Sequence, residues 1–330
     1  MKRLKKGIAI CLMGAFLIGL VGCGAQSPSS SSTAKEEKMV PVRVGVLSIA
    51  DSLPIFAAEQ EKMFEAAGLD VKVFPFKSSS DQSKALEAGE LDVVMNDMIV
   101  QSLVKKAGVD TKIVATAFGA NPKEGRFVVV GAPNSGLKDP KDLVGKRVAI
   151  STNTMMEYLM NQYEHYYKID PASVELVNMP NLMLRVETLL AGKDIDAAIL
   201  PDPLASFAIA KGGVVVIDDT TLDENFSQSV FLATDSFLKD HKGTMDAFME
   251  VLAKSMDDIN KNPEKYRDLA LSTAKVPENL KDAYEVPHFT PSVVPTQQEV
   301  ARVQDWMVDH KLLDKVYSYK DLVTKQYVKA

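Results

Sequence analysis

Lys84-Ala85-Leu86-Glu87-Ala88-Gly89-Glu90-Leu91-Asp92-Val93-Val94 and Thr188-Leu189-Leu190-Ala191-Gly192-Lys193-Asp194-Ile195-Asp196-Ala197-Ala198 share one phrase. Each reads as a helix end, an Ala-Gly stop, an acidic residue and an apolar strand. Glycine suits the left-handed cap that a helix needs before a sharp turn. One copy would suit any helix-to-strand turn. Two copies predict two lobes of similar construction.

Each phrase sits inside an alternating set of strands and helices. In the first set, Val42–Leu47 reads as a strand, Pro54–Ala67 as a helix stopped by Gly68, and Val71–Phe74 as a strand. Gln82–Ala88 is helical and Leu91–Met95 is a third strand. In the second set, Lys146–Ile150 is a strand, Met155–Tyr167 a helix, Val174–Val177 a strand, Leu182–Leu190 a helix and Ile195–Leu200 a strand. Short apolar strands alternating with helices predict parallel α/β sheets. Four further β-rich stretches, Thr111–Phe118, Arg126–Gly131, Val214–Ile217 and Ser229–Thr234, are candidate crossings between lobes. The tail from Asp235 is helical over Thr244–Lys261, Pro263–Ala274 and Thr296–His310. In its last helix Val300, Val303 and Met307 share a face at helical spacing, and the single Trp306 adjoins it as a core residue.

The amino end carries Lys2, Arg3, Lys5 and Lys6, then an apolar stretch from Gly7 to Leu20, then Val21-Gly22-Cys23. A positive start, a short apolar run and small residues before a cut predict a secretory signal. The run is too short to span a bilayer comfortably. Leu20-Val21-Gly22-Cys23 resembles a bacterial lipobox at all four positions, which implies a lipid-bearing Cys23 at the mature end and a place on the outer side of the cytoplasmic membrane. Gln26–Lys38 is rich in Ser, then in charge, and reads as a flexible tether. With Cys11 in the signal and Cys23 lipidated, the folded body holds neither of the 2 cysteines, so no disulfide or thiolate metal site is expected. The 4 histidines are scattered without ligand spacing, so no metal and no cofactor are expected. A net charge of -6 argues against nucleic acid and against a polybasic membrane face.

From the lipobox to the carboxyl end, the chain resembles the solute-binding proteins of bacterial ABC importers. The resemblance is to the group serving nitrate, sulfonates, taurine and thiamine-pyrimidine precursors. It rests on Val44-Gly45-Val46 in the first strand, the Ala-Leu-x-x-Gly-x-x-Asp phrase, the turn at Ile150-Ser151-Thr152, and the Leu-Ala-Gly phrase that runs on to Pro201. It implies a type II periplasmic-binding-protein fold: two α/β lobes, two crossings, and a ligand cleft between them. The expected divisions are a signal at 1–22, Cys23 with its tether to 39, one lobe from 40–119 with 228–330, and the other from 120–227. The implied partners are a small polar solute and the importer's permease and ATPase.

In open α/β sheets, ligands bind beyond the carboxyl ends of the strands. The residues there are Ser48, Asp51 and Ser52; Asn96 and Asp97; Ser151, Thr152, Asn153, Thr154 and Glu157; and Pro201 and Asp202, with Phe118 as a flat surface. Ser, Thr, Asn and Asp before a helix are equally ordinary caps. Thr154-Met155-Met156-Glu157 fits a capping box, and Asp202-Pro203 fits a cap followed by Pro at the first helical position. Asp51, Asp97, Glu157 and Asp202 outnumber Lys77, the one basic residue in these loops. Four carboxylates would oppose an anion. The reading therefore leans to a neutral or cationic nitrogen-containing solute, with sulfonate or nitrate left open. No catalytic residue is assigned. The rival functions are an enzyme of the same fold acting on a small metabolite, and a solute-sensing lipoprotein.

Overall fold

The computed structural model describes residues 40–276 and 284–328. The signal, Cys11, the lipobox Cys23 and the tether to residue 39 lie outside the described residues. Ten strands are described: β1 Val42–Leu47, β2 Val71–Phe76, β3 Val93–Asp97, β4 Thr111–Phe118, β5 Phe127–Gly131, β6 Arg147–Ile150, β7 Glu175–Asn178, β8 Ala197–Pro201, β9 Val214–Asp218 and β10 Ser229–Thr234. They form two sheets, ordered β2-β1-β3-β10-β4 and β7-β6-β8-β5-β9. The two orders are the same pattern written twice, as the repeated phrase predicts. Gly89 and Gly192, the two Ala-Gly stops, both adopt left-handed backbone, with φ of 73° and 62°.

The sheets are not wholly parallel, however. β1, β2 and β3 run parallel, as do β6, β7 and β8, but β10 is antiparallel to β3 and β4, and β5 is antiparallel to β8 and β9. The reason is connectivity. β5 enters the second sheet directly from the first, and β10 returns to the first from the second. A strand that arrives from the other lobe starts at the edge facing that lobe, so it runs against its neighbours.

Helices cover both faces, so the central strands β3, β5, β8 and β10 are buried at every residue. Such strands read as continuous apolar runs rather than as alternation. The edge strand β2 alternates between half-buried and exposed residues. It tolerates Pro75, paired opposite Val46, because an edge strand has a side that needs no ladder bond. Gly45 in β1 has a packing cause: a Cβ there would stand 2.7 Å from Leu91 Cδ1.

Some helix boundaries differ from expectation. The helix expected over Pro54–Ala67 is two, Leu53–Gln60 and Met63–Ala66, because Lys62 takes left-handed backbone at φ 55°. Met98–Lys106 and Leu204–Ala210 are additional helices. Trp306 is buried, as expected. Its Nε1 donates to Asn161 Oδ1 at 3.1 Å and so ties the Gln297–Asp309 helix to the Met155–Tyr167 helix. Among the described residues no helix is long and apolar enough to cross a membrane.

Candidate functional site

The two lobes meet at the carboxyl ends of their parallel strands. Hydrogen bonds cross at these strand ends: Ala50 N donates to Asp202 O at 3.0 Å, and Met155 N donates to Asp97 Oδ2 at 3.1 Å. The molecule is therefore closed, with the loops after β1, β3, β6 and β8 facing one another.

Asp51 lies in this junction, in the turn between β1 and the Leu53–Gln60 helix. It is 2% exposed, and its Oδ2 has no hydrogen-bond partner among the described residues. Ser52 Oγ, Ser229 Oγ and Tyr284 Oη are also buried without a partner, at 0%, 1% and 2% exposure. Such groups normally find a partner, and each orphan costs about 1–3 kcal/mol. Burial pushes the Asp51 carboxyl up to about 6, with the Ser229 hydroxyl opposing in part. Burial also holds the Tyr284 hydroxyl well above its ordinary value, and the charges of Asp202 and Asp51 add to this. The Ser229 hydroxyl is thus near enough to act on Asp51, and Tyr284 lies in the field of Asp51 and Asp202, so these desolvated groups gather at the junction.

Chain neighbours of the cluster, Ala50 and Glu285, line a cavity of about 630 Å³ together with Phe118, Arg126, Asp202 and His288. Phe118 is buried and leans on Phe289, ring centroids 4.8 Å apart. Arg126 is not free for an anion. Its Nη1 donates to Asp202 Oδ2 at 3.0 Å, and its Nε and Nη2 donate to Asp218 Oδ2 at 2.9 and 2.7 Å. Burial opposes its charge, but the two carboxylates outweigh burial and hold the guanidinium above its ordinary value. Asp202 Oδ1 accepts from Ser206 N and Oγ. Pro203, joined to Asp202 by a cis peptide, precedes the helix Leu204–Ala210 and does not open it as the sequence suggests.

The remaining sequence candidates fall elsewhere along the cleft. Asp97 is buried, with Oδ1 accepting from Val100 N at 2.8 Å and Oδ2 from Met155 N. Burial raises its pKa to about 6, opposed by these N–H donors. Asn96 is spent inside the first lobe, bonded to Gln82 Oε1 and to Asp97 N. Ser151, Thr152, Asn153 and Thr154 line a separate cavity of about 340 Å³, opposite Ser80 and Lys84. There Thr154 Oγ1 accepts from Met156 N, and Glu157 Oε2 reaches one residue past the cap to Asn153 N at 2.6 Å. Thr154 and Glu157 thus cap the helix, but not in the reciprocal box pattern. Pro201 is buried at the end of β8. Ser48 lines a third cavity of about 500 Å³ with Phe76, Lys77 and Leu182.

Ser229 and Tyr284 escaped the sequence reading. Ser229 is the first residue of β10, where an antiparallel strand begins beside the carboxyl end of β3, directly opposite Asp97. A rule that inspects only carboxyl ends passes over it. Phe127 occupies the equivalent place in the other sheet, opposite Pro201. Tyr284 sits in a stretch with no periodic pattern to position it.

The NMT1/THI5-like family model matches residues 49–266, a span that takes in every described strand but β1. The chain belongs to the NMT1/THI5-like family. A relative from Bacillus subtilis (strain 168), provisionally named an aliphatic sulfonates-binding protein, is 25% identical over 99% of this chain and 96% of its own length. The periplasmic aliphatic sulphonate binding protein SsuA of Escherichia coli superposes with a TM-score of 0.71 at 19% identity, covering 86% of this chain and 92% of that one. The alkanesulfonate-binding protein SsuA of Xanthomonas axonopodis pv. citri, bound to MOPS, superposes with a TM-score of 0.73 at 17% identity, covering 86% of this chain and 98% of that one. This member of the family has the periplasmic-binding-protein fold.

Proposed function

We propose that the chain is the extracytoplasmic solute-binding protein of an ABC importer, capturing a small polar solute by lobe closure and delivering it to a membrane permease. The observation that carries this reading is the cluster of Asp51 Oδ2, Ser52 Oγ, Ser229 Oγ and Tyr284 Oη, buried at the lobe junction without hydrogen-bond partners among the described residues. The family and the named relatives point the same way. The lobes divide as 40–119 with 228–330, and 120–227.

The solute carries a nitrogen group that donates hydrogen bonds. Asp51 Oδ2 can only accept while ionised, and hydroxyls can turn either way. Arg126, the guanidinium that lines the cavity with Lys123, is already satisfied by Asp202 and Asp218. A sulfonate, which the relatives' names suggest, would meet an unneutralised carboxylate instead. A thermal-shift screen over amines, pyrimidines, sulfonates and nitrate should select a nitrogen compound. Calorimetric titration of that compound into Asp51→Asn should then show affinity weakened by about 1.5–3 kcal/mol, the value of a charged hydrogen bond. Unchanged or tighter binding would refute the nitrogen group. Recovery of the solute chemically unaltered separates binding from catalysis.

The protein is held at the membrane by lipid on Cys23. Cys23→Ser should release it from the membrane fraction or stall its processing; a variant that is lipidated and fractionates like the native chain would refute the anchor.

A further inference from the structure

Asp97 reaches across the lobe junction to the amino end of a helix in the other lobe. The amino end of a helix presents free N–H groups and a partial positive charge, and so attracts anions. In the Met155–Tyr167 helix these donors are already taken. Met155 N donates to Asp97 Oδ2, Met156 N to Thr154 Oγ1, and Glu157 N and Tyr158 N to Thr154 O. Upstream, Asn153 N donates to Glu157 Oε2 and Thr152 N to Asn178 Oδ1. The carboxylate that occupies this end comes from the opposite lobe, and its other oxygen accepts from Val100 N. Ser229, paired directly opposite Asp97, keeps a buried hydroxyl without a hydrogen-bond partner among the described residues.

We propose that Asp97 is a selectivity residue: in the closed molecule its carboxylate fills the amino end of the Met155–Tyr167 helix and so bars anionic head groups from it. An arriving sulfonate would find the N–H groups of Met155 to Tyr158 already taken there and a like charge in its place. Solutes are thereby turned toward the Asp51–Ser229–Tyr284 cluster, which asks for donors. This rests on the reading of the cleft as the solute site.

Methanesulfonate is the probe. Asp97→Ser keeps a competent cap for the Met98–Lys106 helix but withdraws the carboxylate from Met155. It should bind methanesulfonate at least tenfold more tightly than the native protein by calorimetry. Asp97→Asn, which has nearly the same shape without the charge, should gain in the same direction and serves if Asp97→Ser does not fold. Met155→Pro removes the N–H that Asp97 holds while suiting the first helical position, because Thr154 before it is already extended. It should loosen the closed state without gaining methanesulfonate affinity. Equal affinity in native and Asp97 variants, or an equal gain in Met155→Pro, overturns the proposal. The cleft reading is scored separately: Ser229→Ala should weaken the solute found in the screen, whichever way the sulfonate titrations fall.

Discussion

At the scale of single residues, Asp51 is the group whose chemistry most exceeds its surroundings. Its pKa of about 6 reflects burial above all. A cationic nitrogen placed against it would favour the ionised form, so binding near pH 5.5 should release a proton. Affinity for such a solute should then rise between about pH 5 and 7 and level off above. Titrations at pH 5.5 in two buffers of different protonation enthalpy read this directly; proton uptake, or no exchange, would remove Asp51 from the contact. The sequence made Asp51 and Ser52 visible because they stand where a parallel strand gives way to a helix. It did not separate them from Asp97 or Glu157, which stand in similar places. What separates them is three-dimensional. Asp97 and Glu157 find N–H donors, whereas Asp51 Oδ2 finds none. Local sequence carries the preference for a cap but not the count of donors that reach it.

At the scale of elements, patterns with a strong period were legible and exceptions to them were not. Met155–Tyr167, Thr111–Phe118 and Ser229–Thr234 have the boundaries expected from the sequence. The Leu53–Gln60 helix stops early because Lys62 turns left-handed, a conformation that lysine seldom takes and that no composition signal marks. The direction of β5 and β10 was hidden for another reason. Hydrophobicity shows that a strand is buried, not which way it runs. The caps offer a quantitative test. Thr154→Ala removes the hydroxyl that accepts from Met156 N and donates to Ser151 O at 2.7 Å, and it should lower stability by about 1 kcal/mol in urea unfolding. A loss beyond about 3 kcal/mol would mean that Thr154 also holds the lobes together.

At the scale of the whole molecule, folding and proton binding are linked. Asp51, Asp97 and Asp219 are buried carboxyls raised to about 6, 6 and 7, in each case chiefly by burial. A raised carboxyl binds its proton more tightly in the folded chain than in the unfolded one. The ligand-free protein should therefore lose stability as pH climbs from about 4 to 7. It should unfold at a higher urea concentration at pH 5 than at pH 8, and Asp51→Asn should flatten that difference. A midpoint that rises steadily to pH 8 would contradict the burial of these groups. The solute acts in the other direction. At about 100 times its dissociation constant it should add about 2.7 kcal/mol of stability at neutral pH. Small-angle scattering should show a population of open molecules drawn into the compact form.

The two crossings between the sheets bear on how that opening happens. Asn225 Nδ2 donates to Gly119 O at 2.7 Å, and Ser227 Oγ donates to Gly125 O at 2.8 Å. Gly119 has φ of 77°, and Ser227 O lies where a Cβ would stand. The paired segments thus behave as a two-ply ribbon. A ribbon bends more readily across its flat face than in its own plane, so the lobes should open chiefly by one rotation. Fluorophore pairs placed at widely different heights along the cleft should relax with the same rate constant after solute is mixed in, differing only in amplitude. The capture event is thereby timed by one barrier, however many groups the solute touches.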